Sequence, residues 1–264
     1  MKCCFCGPVR NCAPFLSRVL RNIELLGTLF DEYEIVIVYD HSLDNSLAIL
    51  KQYQLSNPKL KLFINNQFVS PYRTHRIAFA RNKCLEYVRT NEYPLFVMMD
   101  FDDPNAKLCD FSILKKYIER NDWDSLSFNT TPDYYDIWAL SIHPYSFSYN
   151  HFRNNFHFHN IIKQYVMYKL GALSDDELLP CFSAFNGFAI YRTDAFSGSC
   201  YDGNVRLDLV PKENLFSHMR AQNSLIVFKD YGHIKGLYED CEHRAFHYGA
   251  PNARIRISKE VLFR

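Results

Sequence analysis

Three aspartates stand together directly after an unbroken apolar run in the first half of the chain. Residues 95–99 form the run, and Asp100, Asp102 and Asp103 follow it before a Pro-Asn turn. Such a run, bounded by prolines, predicts a strand that is buried on both faces of a sheet. Ligands of open α/β sheets bind beyond the carboxyl ends of such strands, where crowded carboxylates need a cation, and hard divalent ions prefer oxygen ligands. We therefore predict a metal-diphosphate site; the alternative is an acidic turn that only caps the next helix.

A group of arginines lies just upstream of this acidic strand, on a helix predicted over about residues 73–90. Arg73 and Arg76 are one turn apart at the N-terminal end of that helix, where free backbone N–H groups and the helix dipole favour anions. Because the helix leads directly into the acidic strand, we predict that Arg73, Arg76 and Arg81 contact a diphosphate. The alternative is a basic helix face that only meets solvent.

The ends of the first two predicted strands carry residues that suit a nucleoside. Pro8 and Arg10 follow the first strand, and Asp40 follows the second. The carboxylate of Asp40 can accept hydrogen bonds from a ribose hydroxyl or from an imino group of a base, while the backbone near Pro8 can flank that base. We predict all three as nucleotide-binding residues, although the sequence from Asp40 to Asp44 is also typical of a turn that caps a helix.

A second dense group of titratable residues lies near the C-terminus. His243 and His247 are four residues apart and so share one face of a helix. Neutral imidazole is a common metal ligand, and we predict that one of the two completes the coordination that Asp102 begins. A carboxylate of this group, which includes Glu239 and Asp240, can serve as a general base. The zinc-protease pattern is excluded because it needs a glutamate directly after the first histidine, and a salt-bridged helix remains the alternative.

A regular alternation of strands and helices must position these groups. The apolar patterns predict strands at 3–7, 33–39, 60–64 and 95–100, and helices at about 14–28, after 44 or 45, and at 73–90. This alternation is typical of a parallel sheet wrapped by helices, which predicts an α/β fold. Beyond residue 103 the pattern is looser, with helices predicted at 108–120 and 157–171, strands at 125–128 and 225–228, and weak alternation at 182–191. We expect a single domain over residues 1–264, with a nucleotide-binding half (1–125) and an acceptor-facing half (126–264).

Composition and charge restrict the class of protein. Of the 264 residues, 48% are hydrophobic, which is enough for a substantial core. The net charge of +1 gives no overall electrostatic reason to expect binding to nucleic acid or a membrane surface. No apolar run approaches the roughly 18–20 residues that a membrane span needs, and no secretory signal is visible, so we expect a cytoplasmic protein. The nine cysteines are scattered and odd in number, which favours buried, reduced thiols over zinc sites or disulfides.

Four motifs in this order resemble the family 2 type of GT-A glycosyltransferase. They are Asp-x-Ser-x-Asp at 40–44, Ala-Arg-Asn at 80–82, Asp-x-Asp-Asp at 100–103 and Glu-Asp at 239–240. Segments 76–82 and 241–243 are also similar to the fungal capsule α-1,3-mannosyltransferase-like group. Segments 123–140 and 186–191 resemble glycosyltransferase-like proteins of large DNA viruses, which would place the chain in a host cytoplasm.

The resemblance implies a GT-A (Rossmann-like) fold with a mostly parallel central sheet and a mixed C-terminal acceptor half. It implies that Asp102 is the principal ligand of Mn²⁺ or Mg²⁺ on a UDP- or GDP-linked sugar, and that Asp100 is shared between ribose and metal. Asp240 would be the base of an inverting reaction, with Glu239 assisting acceptor binding; such a base contributes about 10²–10⁴-fold. If configuration is retained, no protein base is needed and Asp240 becomes a binding residue.

The acceptor side is the less determined part of the resemblance. Trp138 and the turn Asn186-Gly187 are the candidates for binding an acceptor hydroxyl on a glycan or a protein-linked sugar. A nucleotidyltransferase would share the acidic sheet site but normally opens with a glycine-rich phosphate loop, and here Gly7 stands alone. A non-catalytic sugar-binding module would keep the aromatic residues without needing the aspartates and arginines together.

Overall fold

Eight strands and seven α-helices make up the part of the chain that the computed structural model describes, residues 1–147, 156–222 and 239–264. The strands are β1 Lys2–Val9, β2 Glu32–Tyr39, β3 Leu60–Ile64, β4 Leu95–Met99, β5 Ser125–Asn129, β6 Leu179–Cys181, β7 Phe188–Arg192 and β8 Ile255–Val261. The helices are α1 Ala13–Gly27, α2 Ser46–Ser56, α3 Arg73–Thr90, α4 Phe111–Ile118, α5 Phe156–Gly171, α6 Lys212–Gln222 and α7 Glu242–Tyr248.

The strands form one sheet in the order β3-β2-β1-β4-β7-β5-β8-β6. The first four are parallel, with β1 paired to both β2 and β4, so their carboxyl ends meet at the same edge. Gly7 allows the close approach of β1 to the end of β4, because a Cβ there would lie 2.2 Å from the carbonyl oxygen of Met99. The predicted α/β fold with a mostly parallel sheet is thereby confirmed for the first half of the chain.

Two strands run antiparallel to these four: β7, and β6, which pairs antiparallel with β8 at the far edge of the sheet. β7 is inserted between β4 and β5 and pairs antiparallel with both. The turn that enters β7 contains Asn186 and Gly187, which have positive φ values of 58° and 83°. Gly187 reaches this left-handed conformation without a steric penalty, and asparagine tolerates it better than most residues. The turn lies beside the end of β4, because the N–H of Asp100 donates to the carbonyl oxygen of Gly187 at 2.9 Å.

Two hydrophobic layers cover the two faces of the sheet. Alternate β1 residues point to opposite faces, so Phe5 packs with α1, α2 and α4, while Cys4 and Cys6 pack with α3 and α7. The α3–α7 side is rich in stacked aromatic rings, such as Phe246 on Tyr201 with ring centroids 4.3 Å apart. All nine cysteines are free thiols, and seven of them are buried.

The predicted elements up to β4 are present with shifts of one or two residues, and β5 and α5 are also confirmed. Helix α4 begins three residues later than expected, and the weak alternation at 182–191 becomes a strand only from Phe188. Strands β6 and β8 and helix α6 were not predicted. The strand expected at 225–228 lies outside the described residues, and the division into two halves stays a prediction. Within the described ranges, every helix is too short or too polar to cross a membrane.

Candidate functional site

A cavity of about 300 Å³ opens where β1, β2 and β4 end and α3 begins. We call it the strand-end cavity. Its position follows from the topology, because parallel neighbours deliver their carboxyl ends to one edge of the sheet. Seven of the predicted site residues line it: Pro8, Arg10, Asp40, Arg73, Arg76, Asp100 and Asp102. The structure therefore brings together seven of the ten residues that the sequence assigned to nucleotide and metal.

Two of the basic residues of the strand-end cavity, Arg10 and Arg76, lie beside Asp40. One oxygen of its carboxylate, Oδ2, lies 3.4 Å from Nη1 of Arg10 and 3.8 Å from Nε of Arg76. Arg76 is fixed further by donating to the carbonyl oxygens of Ser70 and Pro71 at 2.9 and 2.7 Å. Arg73 is exposed at the first position of α3. The cavity thus presents an acidic group at the β2 end and cations at the start of α3.

The turn after β4 concentrates negative charge against the cavity. Burial, together with the nearby Asp100 carboxylate, raises the pKa of Asp102 to about 7, while the Arg73 guanidinium opposes the rise. Burial also raises the pKa of Asp100, although the Arg81 and Arg73 guanidinium groups oppose that effect. Asp102 stands at the N-cap of the 3₁₀ turn Asp103–Ala106 without making a side-chain capping bond, and its buried Oδ1 has no hydrogen-bond partner among the described residues. This geometry disfavours the acidic-turn alternative for Asp102.

A second cavity of about 240 Å³ adjoins the first and shares Arg73, Ile77 and Asp100 with it. We call it the α7 cavity, because the start of α7 forms one wall. Five other parts of the chain build its remaining walls: α3, the end of β4, residues 135–138, His159 on α5, and Phe185. Its remaining lining residues are Arg81, Tyr135, Asp136, Ile137, Trp138, His159, Phe185, Cys241, Glu242 and His243. Among the residues predicted from sequence, Trp138, Arg81 and His243 lie here.

Arg81 lines the α7 cavity and contacts Asp100, which lines both cavities. Its side chain is only 3% exposed; Nη2 lies 2.8 Å from Oδ1 of Asp100, and Nε lies 3.3 Å from Oε1 of Glu242. The guanidinium also stacks over the ring of Phe185, with Cζ 4.3 Å from the centroid. Its charge is therefore already shared by two carboxylates, and a direct contact with a diphosphate stays a prediction for this residue.

Two carboxylates of the α7 cavity were not identified from the sequence. Burial raises the pKa of Glu242, with the Arg81 guanidinium opposing. Burial raises the pKa of Asp136 to about 6, although the N–H of Ala139 donates to its Oδ1 at 3.1 Å. Glu242 could have been identified from the sequence, because it directly precedes His243, which was predicted as a site residue. Asp136 lay in an aromatic stretch without a regular period.

Asn186 and Gly187 lie behind the α7 cavity and do not line it. Oδ1 of Asn186 accepts from the N–H groups of Tyr135 and Asp136 at 2.9 and 2.8 Å, and its Nδ2 donates to the carbonyl oxygen of Phe128 at 2.7 Å. Gly187 accepts from the N–H of Asp100. The expected role in acceptor binding is corrected to an indirect one: the turn positions one carboxylate in each cavity.

Glu239 and Asp240, the predicted catalytic pair, line neither cavity. Oε2 of Glu239 accepts from the N–H and hydroxyl of Thr74 at 3.2 and 2.9 Å, at the N-terminus of α3. Asp240 is 2% exposed, and its Oδ2 accepts from Nε of Arg244 at 2.7 Å. That guanidinium also donates to Ser141 Oγ and to the carbonyl oxygens of Trp138, Leu140 and Ser146. The structure corrects the expected placement, because both carboxylates are used by internal partners.

The two histidines share one face of α7, as predicted, but differ in their surroundings. His247 hydrogen-bonds Ser183 Oγ through Nδ1 at 2.9 Å and the Tyr191 hydroxyl through Nε2 at 3.3 Å, and burial lowers its pKa to about 3. With both nitrogens occupied away from the cavities, it is not placed to bind the predicted metal. His243 lines the α7 cavity. The described residues contain no cluster of three or more His, Cys, Asp or Glu arranged for a metal ion.

A larger cavity of about 690 Å³ lies on the other side of α3, beside the edge strand β3. Aromatic and amide side chains line it, including Phe63, Phe79 and Tyr87. None of the predicted site residues reaches it, and it is not at the carboxyl end of a central strand. Volume alone would favour this cavity, but strand-end position and converging charges favour the two smaller ones.

Comparison with known proteins bears on the family and the fold of the chain. Residues 4–197 match the family described as Glycosyl transferase family 2. An uncharacterized glycosyltransferase of Mycoplasma genitalium, MG060, is 28% identical over 136 residues, which is 50% of this chain and 40% of that protein. The crystal structure of S. aureus TarS 1–349 has a TM-score of 0.50 at 15% identity over 100% of this chain and 59% of its own.

A second crystal structure of S. aureus TarS gives the same TM-score of 0.50 and covers 36% of that chain. The chain thus spans less than two thirds of the length of these relatives. The TarS structures support the fold alone, and the predicted GT-A fold is confirmed. The similarity to fungal capsule enzymes and viral proteins stays a prediction.

Proposed function

Because the chain belongs to glycosyl transferase family 2, we propose that it transfers a sugar from a nucleoside-diphosphate sugar to a hydroxyl of a glycan or protein-linked acceptor. The observation that carries the proposal is the pair of adjoining cavities with Arg73, Ile77 and Asp100 in their common wall. A nucleoside diphosphate in the strand-end cavity would direct its phosphates to this wall, so that the attached sugar extends into the α7 cavity.

The nucleoside would bind at the ends of β1 and β2. Asp40 offers an acceptor for a ribose hydroxyl or for an imino N–H of uracil or guanine, and Arg10 and Arg76 hold that carboxylate in the cavity. The backbone at Pro8 would flank the base. Either UDP or GDP fits this arrangement, since both bases carry an imino N–H.

The diphosphate would bind beside the first turn of α3. One backbone N–H of this turn, that of Thr74, is already used by Glu239. The exposed side chain of Arg73, together with Arg76, therefore supplies the main positive charge for phosphate. This charge would also stabilise the departing nucleoside diphosphate in the transition state.

A divalent cation fits the acidic turn after β4. Asp102 and Asp100 would hold Mn²⁺ or Mg²⁺, and the unpartnered Oδ1 of Asp102 is the observation that supports this. Two carboxylates suffice because Mg²⁺ is commonly bound by one or two carboxylates with substrate phosphates and waters. When bound, the cation would neutralise charge that develops on the leaving diphosphate.

The geometry favours a different proton acceptor for an inverting reaction from Asp240, which the sequence suggested. We assign this role to Glu242, which lines the α7 cavity, and not to Asp240, which lines neither cavity. Burial raises the pKa of Glu242 towards the range in which general bases are efficient. Trp138 and Tyr135 would form the apolar surface beside which the acceptor enters.

Ligand-induced thermal stabilisation tests the proposal. UDP, GDP and their common sugar conjugates are added to the wild-type protein with and without Mn²⁺. We expect at least one nucleoside diphosphate to raise the melting temperature only when Mn²⁺ is present. At a ligand concentration of 100 Kd, binding should add about 2.7 kcal/mol to the unfolding free energy. If none of them stabilises the protein in a metal-dependent way, the proposed function is wrong.

A further inference from the structure

His243 is a buried imidazole whose hydrogen-bonding capacity is unused. Its side chain is 1% exposed, and neither Nδ1 nor Nε2 has a hydrogen-bond partner among the described residues. Buried polar groups are nearly always paired, so an orphan of this kind needs an explanation. His247, one turn further along α7, has partners for both of its ring nitrogens. This difference indicates that His243 hydrogen-bonds a ligand and not another residue of the chain.

The ring is held rigidly by its neighbours. Phe185 stacks on one face of His243 with centroids 3.8 Å apart, and Tyr201 meets it edge-on at 5.2 Å. Nε2 lies 3.9 Å from Oε1 of Glu242, beyond hydrogen-bonding distance. Because a ring fixed in this way has little freedom to turn, its nitrogens are preorganised for a ligand in the α7 cavity, which it lines.

The charges around His243 define the chemistry of that ligand. Three carboxylates line the α7 cavity, those of Asp100, Asp136 and Glu242, against the cations Arg73 and Arg81. Arg81 is already engaged by two of the carboxylates. The wall beside His243 is therefore rich in hydrogen-bond acceptors and unfavourable to an anion. Hydroxyl groups suit it, because each can donate to a carboxylate or an imidazole nitrogen.

Size and apolar surface point to a single sugar ring. The volume of about 240 Å³ suits one monosaccharide, and the indole of Trp138, which lines the cavity, offers a flat surface for the C–H face of a pyranose. We propose that His243 is a specificity-determining residue that hydrogen-bonds a hydroxyl of the transferred sugar, and that the α7 cavity selects neutral sugars over acidic ones. This inference rests on the proposed function, since it assigns the sugar part of the same donor.

Donor affinities of two His243 variants test the role of this side chain. His243→Phe keeps an aromatic ring against Phe185 but removes both nitrogens, and His243→Asn keeps polar atoms. With Mn²⁺ present, the dissociation constants are measured by calorimetry for UDP, GDP, UDP-glucose, UDP-galactose, UDP-N-acetylglucosamine, GDP-mannose and UDP-glucuronate. In the wild type, at least one neutral donor should bind more tightly than its parent diphosphate, and UDP-glucuronate should not.

His243→Phe should keep the affinity for the parent diphosphate within about twofold and lose about tenfold in affinity for the preferred sugar donor, as expected for one hydrogen bond. His243→Asn should recover part of this loss. His247→Phe is the matched control: it should lower thermal stability and leave the ratio between sugar donor and diphosphate unchanged. Retained preference in His243→Phe, or wild-type binding of UDP-glucuronate as tight as that of the preferred neutral donor, would overturn the inference. Failure of both UDP and GDP to bind the wild type would instead overturn the proposed function, and this inference with it.

Discussion

The two adjoining cavities are built in different ways, and the difference decides what each contributes. The strand-end cavity is lined mostly by short motifs that directly follow β1, β2 and β4, with the first two turns of α3. The α7 cavity collects residues from four further segments that are distant in sequence. The sheet topology places the side chains of the strand-end cavity. The side chains of the α7 cavity are placed by contacts between residues that are distant in sequence. Predictions that separate the two cavities therefore test the account most sharply.

The largest effect is expected on turnover when the carboxylate in the α7 cavity is neutralised. Glu242→Gln should lower kcat by about 10²–10⁴-fold, the usual contribution of a general base, because it removes the proton acceptor. The affinity for the nucleoside diphosphate in the strand-end cavity should change only a few-fold. Steady-state kinetics and calorimetry on the same preparation measure the two quantities.

Asp240→Asn is the matched variant on the same segment. We expect it to reduce stability while keeping kcat within about tenfold of the wild type. If kcat is instead normal in Glu242→Gln and falls by about 10²-fold or more in Asp240→Asn, Asp240 is the base, as the sequence suggested. Near-normal turnover in both would exclude a protein base and indicate retention of configuration.

The second-largest effect is expected on stability, when the buried ion pair between Asp240 and Arg244 is broken. Asp240→Ala leaves the buried guanidinium of Arg244 without its carboxylate, and breaking a buried pair in this way costs about 3–5 kcal/mol. Urea unfolding measures it. Asp208→Ala, which breaks an exposed pair with Arg206, should cost far less stability, because solvent screens an exposed ion pair. Equal losses in the two variants would show that Asp240 is not a structural residue.

The contrast between the cavities also describes what the sequence could predict. Leu95–Met99 is apolar throughout and is followed by aspartates, so this run and the alternation of strands and helices together locate Asp100 and Asp102 at the carboxyl edge of a parallel sheet. No comparable rule separates Asp240 from Glu242. The two carboxylates are two residues apart; the first meets Arg244 in the interior, and the second meets Arg81 beside the cavity.

The unpredicted parts of the fold have similar causes. β6 has only three residues, too few for an alternation to be recognised. In β8, only Ile255 and Ile257 alternate clearly before a run of charged residues. β7 could not be placed between β4 and β5 because antiparallel insertion is a matter of long-range pairing, and strand order is not encoded in local periodicity. Asp136 was missed because Asn186, 50 residues away along the chain, fixes its backbone.

A third and smaller effect should follow from the Asn186 turn. Asn186→Ala removes the acceptor for two N–H groups, those of Tyr135 and Asp136, and places alanine at a φ of 58°. We expect a loss of about 2 kcal/mol or more in unfolding free energy and a lower kcat, with diphosphate affinity unchanged. Asn186→Gly tolerates the positive φ, so the difference between the two variants isolates the backbone strain. Unchanged kcat in both would show that the turn does not position the α7 cavity.

The smallest effect is a pH dependence that belongs to His247. Burial lowers its pKa to about 3 from an ordinary value of 6.5, so below pH 6.5 the unfolded chain binds a proton that the folded chain does not. Its contribution to stability is complete above pH 6.5 and is lost as the pH falls towards 3. Unfolding free energies at pH 7, 6 and 5 should therefore fall less steeply in His247→Phe than in the wild type, by up to roughly 1.4 kcal/mol per pH unit. Parallel profiles would contradict the buried, neutral state of this imidazole.

The most direct test of the central claim is a calorimetric titration of the stabilising nucleoside diphosphate with and without Mn²⁺. It compares the wild type with Asp102→Asn, which removes the charge that lines the strand-end cavity, and with Asp103→Asn, which removes an exposed charge in the same turn. We predict that Mn²⁺ strengthens binding at least tenfold in the wild type and in Asp103→Asn, and has no effect in Asp102→Asn. Equal dependence on Mn²⁺ in all three proteins would show that the acidic turn after β4 is not the donor-diphosphate site.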